Sequence, residues 1–265
     1  MQWVITKTSC DGIGNVMKGY ISALSVNPNS VIECNPEYSL GRYDTALADK
    51  HIYHGGPREP FYTCRLLVLK EEEAEQETIV NEFQYTNGCG NPRLNGAYSM
   101  SRLIDWNYDP ERVANRVKAR VFRILDSLEF RPQISAAVTR YIAQMQGESL
   151  GIAVRTWKAS HEHNIDRPYN PETYKAAIAR ELAGVSTVVL STDADEALAE
   201  YTEFLAQFPV KTIAFRFTDE NATQRAFIKM LTLARCDVLI GNRISSFSEL
   251  AWWFSRHRAR VVPLF

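Results

Sequence analysis

The chain has 265 residues, 45% of them hydrophobic and 23% charged, with a formal net charge of −1. This composition fits one large globular domain or two of about 130 residues each, and it excludes both a disordered chain and a protein that coats nucleic acid through its overall charge. The five cysteines, Cys10, Cys34, Cys64, Cys89 and Cys236, lie far apart and form no CxxC pair, which excludes a disulfide framework or structural zinc site and suits a reducing compartment.

The N-terminus lacks a basic region followed by a long apolar one, and no run approaches about 18 apolar residues, so neither a signal peptide nor a membrane span is expected. QWVIT at the start reads as a short buried strand. Ser9-Cys10-Asp11-Gly12-Ile13-Gly14-Asn15 follows, then a helical pattern to about Val26. A strand, a glycine-bearing turn and a helix start offer backbone N–H groups to an anion, although a plain tight turn has the same letters. Residues 30–34 (SVIEC) read as a second strand. Residues 35–60 are rich in glycine and proline and carry Tyr38, Arg42, Tyr43, His51, Tyr53, His54 and Arg58, a mixture that suits either carbohydrate or ordinary surface. RLLVLK at 65–70 predicts a strand, EEEAEQE at 71–77 a solvated acidic turn or helix face, and 86–97 a turn cluster.

From Asp109-Pro110 the pattern turns helical, with Val113, Val117, Val121, Ile124, Leu125 and Leu128 on one face. A further helix starts near Gln133, with Ile134, Val138, Tyr141, Ile142 and Met145 on one stripe, and 131–149 reads as an interdomain hinge. Beyond Gly147 the alternation is regular. Strands at 150–155, 185–191, 211–216, 237–241 and 259–263 alternate with helices at 172–183, 195–208, 221–235 and 249–257. Asn170-Pro171 supplies a cap and a first helical residue for the first of these helices. This βαβαβαβαβ order predicts a doubly wound parallel sheet.

Such sheets bind ligands at the carboxyl ends of their strands. The apolar run Gly151-Ile152-Ala153-Val154 ends abruptly in Arg155, whose planar guanidinium suits a diphosphate. Thr156, Lys158, His161, Glu162 and His163 follow it. Ser245, Ser246 and Ser248 precede a helix and can turn hydroxyls and amides toward phosphate oxygens, or Ser248 can simply cap helix 249–257. Asp193 either contacts a ribose or base or caps helix 195–208. Asp193-Ala194-Asp195 has the letters of a metal motif, but helix capping accounts for both acids and no metal constellation appears. Glu162 is the leading general base toward an acceptor hydroxyl, with His161 or His163 as rivals. No P-loop is present, which disfavours a kinase or phosphate hydrolase.

At this point the residues resemble a known family. RTWKASHE (155–162), followed by YNPETY (169–174), is similar to the central motif of the fucosyltransferase-like GT-B superfamily, which includes α-1,6-fucosyltransferases, bacterial nodulation fucosyltransferases and protein O-fucosyltransferases. STDAD (191–195) resembles its TDD strand end, ARCDVLIGNRISSFS (234–248) its phosphate loop, and GIGN (12–15) its N-terminal glycine loop. Arg155, Thr156, Lys158 and Glu162 stand at matching positions. The family's histidine is missing from Ile152-Ala153-Val154, one arginine remains where the family has two, and Lys229 falls where an acidic residue would read guanine.

The resemblance implies an α/β fold of GT-B type, with two Rossmann-like domains, 1–132 and 133–265, facing a cleft. It implies an inverting, metal-independent glycosyltransferase without a resident cofactor. Glu162, Arg155 and Lys158 would serve the reaction. Gly12, Gly14, Asn15, Arg155, Asp193, Arg225, Ser245, Ser246, Phe247 and Ser248 would contact the nucleotide sugar. A GDP-sugar is favoured over a UDP-sugar, and fucose over galactose, xylose or rhamnose. The partner would be an oligosaccharide or glycoconjugate acceptor in a bacterial or virus-infected cytosol. The alternative is a non-catalytic nucleotide-sugar or glycan-binding protein of the same fold.

Overall fold

The computed structural model describes residues 2–6, 12–26, 28–37, 40–55, 58–62, 108–113, 115–156, 169–243 and 245–264. The chain divides into two compact units. The first is Met1–Ile134 with Glu220–Ala226, and the second is Ser135–Asp219 with Phe227–Phe265.

The first unit holds a parallel sheet in which β1 (Gln2–Thr6) lies between β2 (Val31–Ile32) and β3 (Arg58–Tyr62). Val4 pairs with Val31 on one side and with Pro60 on the other. β3 falls inside the stretch expected to be loop. Proline lacks an N–H for the ladder, and an edge strand such as β3 tolerates that loss. Helix α1 (Ile13–Val26) buries Ile13, Val16, Met17, Tyr20 and Ile21, which recur at helical spacing, alongside the buried Val4, Ile5, Val31 and Ile32. It also packs on α2 (Asn115–Ser127). α2 starts later than expected, because Asp109 first caps a short 3-10 turn, Pro110–Arg112, by accepting from the Glu111 N–H at 2.9 Å. Val121, Ile124 and Leu125 are buried as the periodicity requires. The strand expected at 65–70, the acidic run at 71–77 and the turns at 86–97 lie outside the described residues.

After α3 (Pro132–Ile142), the second unit is a five-stranded parallel sheet built from β4 (Ser149–Val154), β5 (Thr187–Thr192), β6 (Lys211–Ala214), β7 (Val238–Asn242) and β8 (Arg260–Leu264). Its order is β6-β5-β4-β7-β8. The connecting helices are α4 (Pro171–Glu181), α5 (Asp195–Leu205), α6 (Ala222–Leu233) and α7 (Ser246–Phe254). Asn170 caps α4, accepting from the Glu172 and Thr173 N–H groups, with Pro171 at the first position.

Strand parity assigns the two faces of this sheet, because alternate side chains point to opposite sides. Leu150, Ile152 and Val154 of β4, with Val238 and Ile240 of β7, join one cluster with Tyr174, Ile178, Tyr201 and Leu205 of α4 and α5. The opposite face carries the buried Ala153, Val189 and Leu239, and α6 and α7 approach it most closely at two glycines. A Cβ on Gly151 would lie 3.0 Å from Leu233 and Cys236, and one on Gly241 would lie 2.7 Å from the Ser248 hydroxyl. The sheet is therefore doubly wound, as the alternation predicts. Among the described residues, no helix is long and apolar enough to cross a membrane.

Candidate functional site

β4 and β7 are sheet neighbours, yet they are separated in the chain by β5 and β6. The connections run outward from β4 through β5 to β6 and then return to β7. The crevice between the carboxyl ends of β4 and β7 is thus the topological switch point, the usual ligand position in such a sheet. Arg155 and Thr156 leave β4 there, and Asn242 ends β7. Tyr174 is fully buried on α4, and its hydroxyl has no hydrogen-bond partner among the described residues. Burial pushes the Tyr174 phenol up to about 12, so it stays protonated and able to donate.

Arg155 is held by Asp193 at the end of β5. Its Nη1 donates to Asp193 Oδ2 at 3.0 Å, and the side chains are only 23% and 12% exposed. Asp193 Oδ1 accepts from both the main-chain N–H and the hydroxyl of Thr156, each at 2.8 Å. Asp193 does not cap α5. Ala194 occupies the cap position and makes no side-chain cap bond, while Asp195 and Glu196 lie in the first turn, where negative charge suits the helix dipole. Lys229 donates to the Thr192 carbonyl at 2.9 Å and sits 5.9 Å from the Phe217 ring centre.

α7 begins three residues earlier than its sequence pattern suggests. Ser245 is the N-cap residue by backbone geometry, its carbonyl accepting from the Glu249 N–H at 3.1 Å, and its side chain makes no cap bond. Ser248 therefore lies inside the first turn and caps nothing. Its hydroxyl is buried against Gly241 and has no hydrogen-bond partner among the described residues. Ser246 and Phe247 are half-buried in the same turn. The N–H groups of this turn have no partners one turn earlier in the helix, and they carry the positive end of the helix dipole. Arg155, Thr156, Asn242 and the Ser245–Ser248 turn thus follow adjacent strands at the switch point. That arrangement suits an anion with several oxygens.

The other predicted residues are placed differently. Gly12, Gly14 and Asn15 start α1 in the first unit, where the Gly12 carbonyl accepts from the Asn15 and Val16 N–H groups. A Cβ on Gly12 would meet nothing within 4 Å, so no close approach among the described residues demands glycine there. Arg225 is exposed in the Glu220–Ala226 segment, donating from Nε to the Glu220 carbonyl at 2.6 Å. Lys158, His161, Glu162 and His163 lie outside the described residues. No group of three or more His, Cys, Asp or Glu side chains able to hold a metal occurs among the described residues. Tyr174 and Asn242 are not among the residues expected to contact the donor, although Asn242 opens a polar strand end and Tyr174 closes the YNPETY segment. The signal for Tyr174 is its place on the buried stripe of α4, and for Asn242 a polar residue ending an apolar strand.

This sheet, with its crevice and helix N-terminus, defines an α/β protein, and its fold is similar to that of the fucosyltransferases POFUT1 and NodZ. The chain superposes on POFUT1 in complex with GDP-fucose with a TM-score of 0.54 and 13% identity, covering 100% of this chain and 98% of that one. It superposes on the fucosyltransferase NodZ from Bradyrhizobium with a TM-score of 0.52 and 16% identity, covering 94% and 92%. For NodZ α-1,6-fucosyltransferase soaked with GDP-fucose the values are 0.53, 18%, 95% and 92%. No family model and no curated protein sequence matches the chain.

Proposed function

We propose that this protein is an inverting, metal-independent glycosyltransferase that moves a sugar from a nucleoside diphosphate to a glycan hydroxyl. A GDP-sugar is the first donor to test and fucose the first sugar. The observation that carries the reading is the switch point itself. Arg155 on one strand end and the first turn of α7 on the next, with the buried Ser248 hydroxyl, form an anion-suited edge on a fold shared with fucosyltransferases.

In this reading the acceptor oxygen attacks the anomeric carbon while Glu162 takes its proton, and the bond to the diphosphate breaks on the opposite side. The charge that develops on the leaving diphosphate is met by Arg155, Lys158 and the amides of Ser246, Phe247 and Ser248. These groups can do the work of a divalent metal, and Asp193, the first acid of the metal-like motif, is already engaged with Arg155 and Thr156.

The test is donor turnover in EDTA, with and without acceptor, by the wild type and by Glu162→Gln. The expected result is turnover that survives EDTA. Glu162→Gln should lose about 100-fold or more in rate while binding the nucleotide as tightly as the wild type. Equal rates for the two proteins would remove Glu162 as the base. Nucleotide binding without any turnover would favour the non-catalytic binding protein.

A further inference from the structure

We infer that Asp193 is a positioning residue for Arg155 and Thr156 and not a contact to the donor. The inference rests on the donor-binding reading above and assigns Asp193 a role within that site. Both carboxylate oxygens face the protein. Oδ2 holds Arg155 Nη1 at 3.0 Å, and Oδ1 takes the N–H and the hydroxyl of Thr156 at 2.8 Å each.

The Asp193 main chain is itself anchored on its N-terminal side. The Thr192 carbonyl accepts from Lys229 Nζ at 2.9 Å, and the Thr192 hydroxyl donates to the Ala194 carbonyl at 3.0 Å. β4 and β5 are paired as far as Val154 and Thr192, so the residues that follow each strand start from a fixed register. A rigid strand end thus holds a carboxylate, and the carboxylate holds the neighbouring strand's arginine. Arginine has several soft torsions, and tying its end to a carboxylate removes that freedom before any ligand arrives. The pairing also offsets much of the guanidinium charge, so anion recognition depends on where the planar fork points more than on net charge.

A double-mutant cycle reads the inference directly. Wild type, Asp193→Asn, Arg155→Ala and the double variant are titrated calorimetrically with GDP and with UDP. Asp193→Asn should bind about tenfold more weakly, the scale of one lost charge-assisted hydrogen bond. The double variant should lose clearly less than the sum of the two single losses, because Asp193 acts on the ligand through Arg155, with Thr156 carrying only the remainder. Additive losses would overturn the inference, since Asp193 would then touch the ligand itself. Unchanged affinity in Asp193→Asn would overturn it too. Asp193→Glu, which keeps the charge but displaces it, is read in the same way should Asp193→Asn not fold.

If the wild type binds neither nucleotide, the donor reading fails, and the positioning role is decided by phenylglyoxal modification of Arg155 followed by peptide mass. Faster modification in the Asp193 variant than in the wild type supports a held guanidinium, and equal rates contradict it.

Discussion

Arg155 and His51 show two ways in which this chain fixes a polar side chain inside a fold. Arg155 is tied to a carboxylate on the neighbouring strand, at a place where a ligand can reach it. His51 is kept neutral. Its Nε2 accepts from the Glu129 N–H at 3.0 Å, so its Nδ1 carries the proton and donates to the Tyr20 hydroxyl at 2.8 Å. Burial, reinforced by the nearby Lys50 charge, pulls His51 down from 6.5 to about 4. The unfolded chain therefore binds the proton more readily than the folded one across that interval. Stability from this site is complete above pH 6.5 and is lost progressively as pH falls toward 4. Denaturant melts at several pH values should show that slope, and His51→Gln, which can still accept from the Glu129 N–H but cannot titrate, should flatten it. An identical slope in the variant would place the acid sensitivity elsewhere.

Among the elements, α7 and β7 form the tightest junction of the proposed site. A Cβ on Gly241 would meet the Ser248 Oγ and Cβ at 2.7 and 2.8 Å, so the first turn of α7 approaches the strand backbone as closely as a missing side chain allows. Gly241→Ala should push the turn outward, costing about 1–3 kcal/mol of stability as overpacking does and weakening nucleotide binding. A melting temperature and an affinity equal to those of the wild type would show that the turn is not held there.

The same elements differ in how plainly the amino-acid sequence announces them. β4, β5 and β7 are legible because strands buried on both faces run apolar without interruption. α4 is legible because Asn170-Pro171 marks its start. The start of α7 is not, because three serines in a short stretch all look like caps, and only the backbone decides that Ser245 is the one. β3 is hidden because Pro60 argues against a strand unless that strand lies at an edge. Arg155 stands out as a cation ending a strand. Its partner does not, because residues 38 apart meet only once the sheet is paired. The full burial of Tyr174 on α4 becomes visible only once that helix is packed on the sheet.

Taken whole, the chain shares its fold with POFUT1 and NodZ at 11–18% identity, a range in which the arrangement of strands persists while side chains are replaced. What survives such divergence is the switch point, because it follows from strand order rather than from any one residue. What varies is the chemistry placed there, and for that reason the sugar and the acceptor are matters for experiment rather than for the fold. The central claim is that a nucleoside diphosphate is held at the carboxyl ends of β4 and β7 through Arg155. The measurement that meets it most directly is calorimetric titration of GDP and UDP into the wild type and into Arg155→Ala. Binding of one nucleotide to the wild type, weakened at least about tenfold by Arg155→Ala, is the predicted result. Binding of neither nucleotide, or equal affinity in the two proteins, would contradict it.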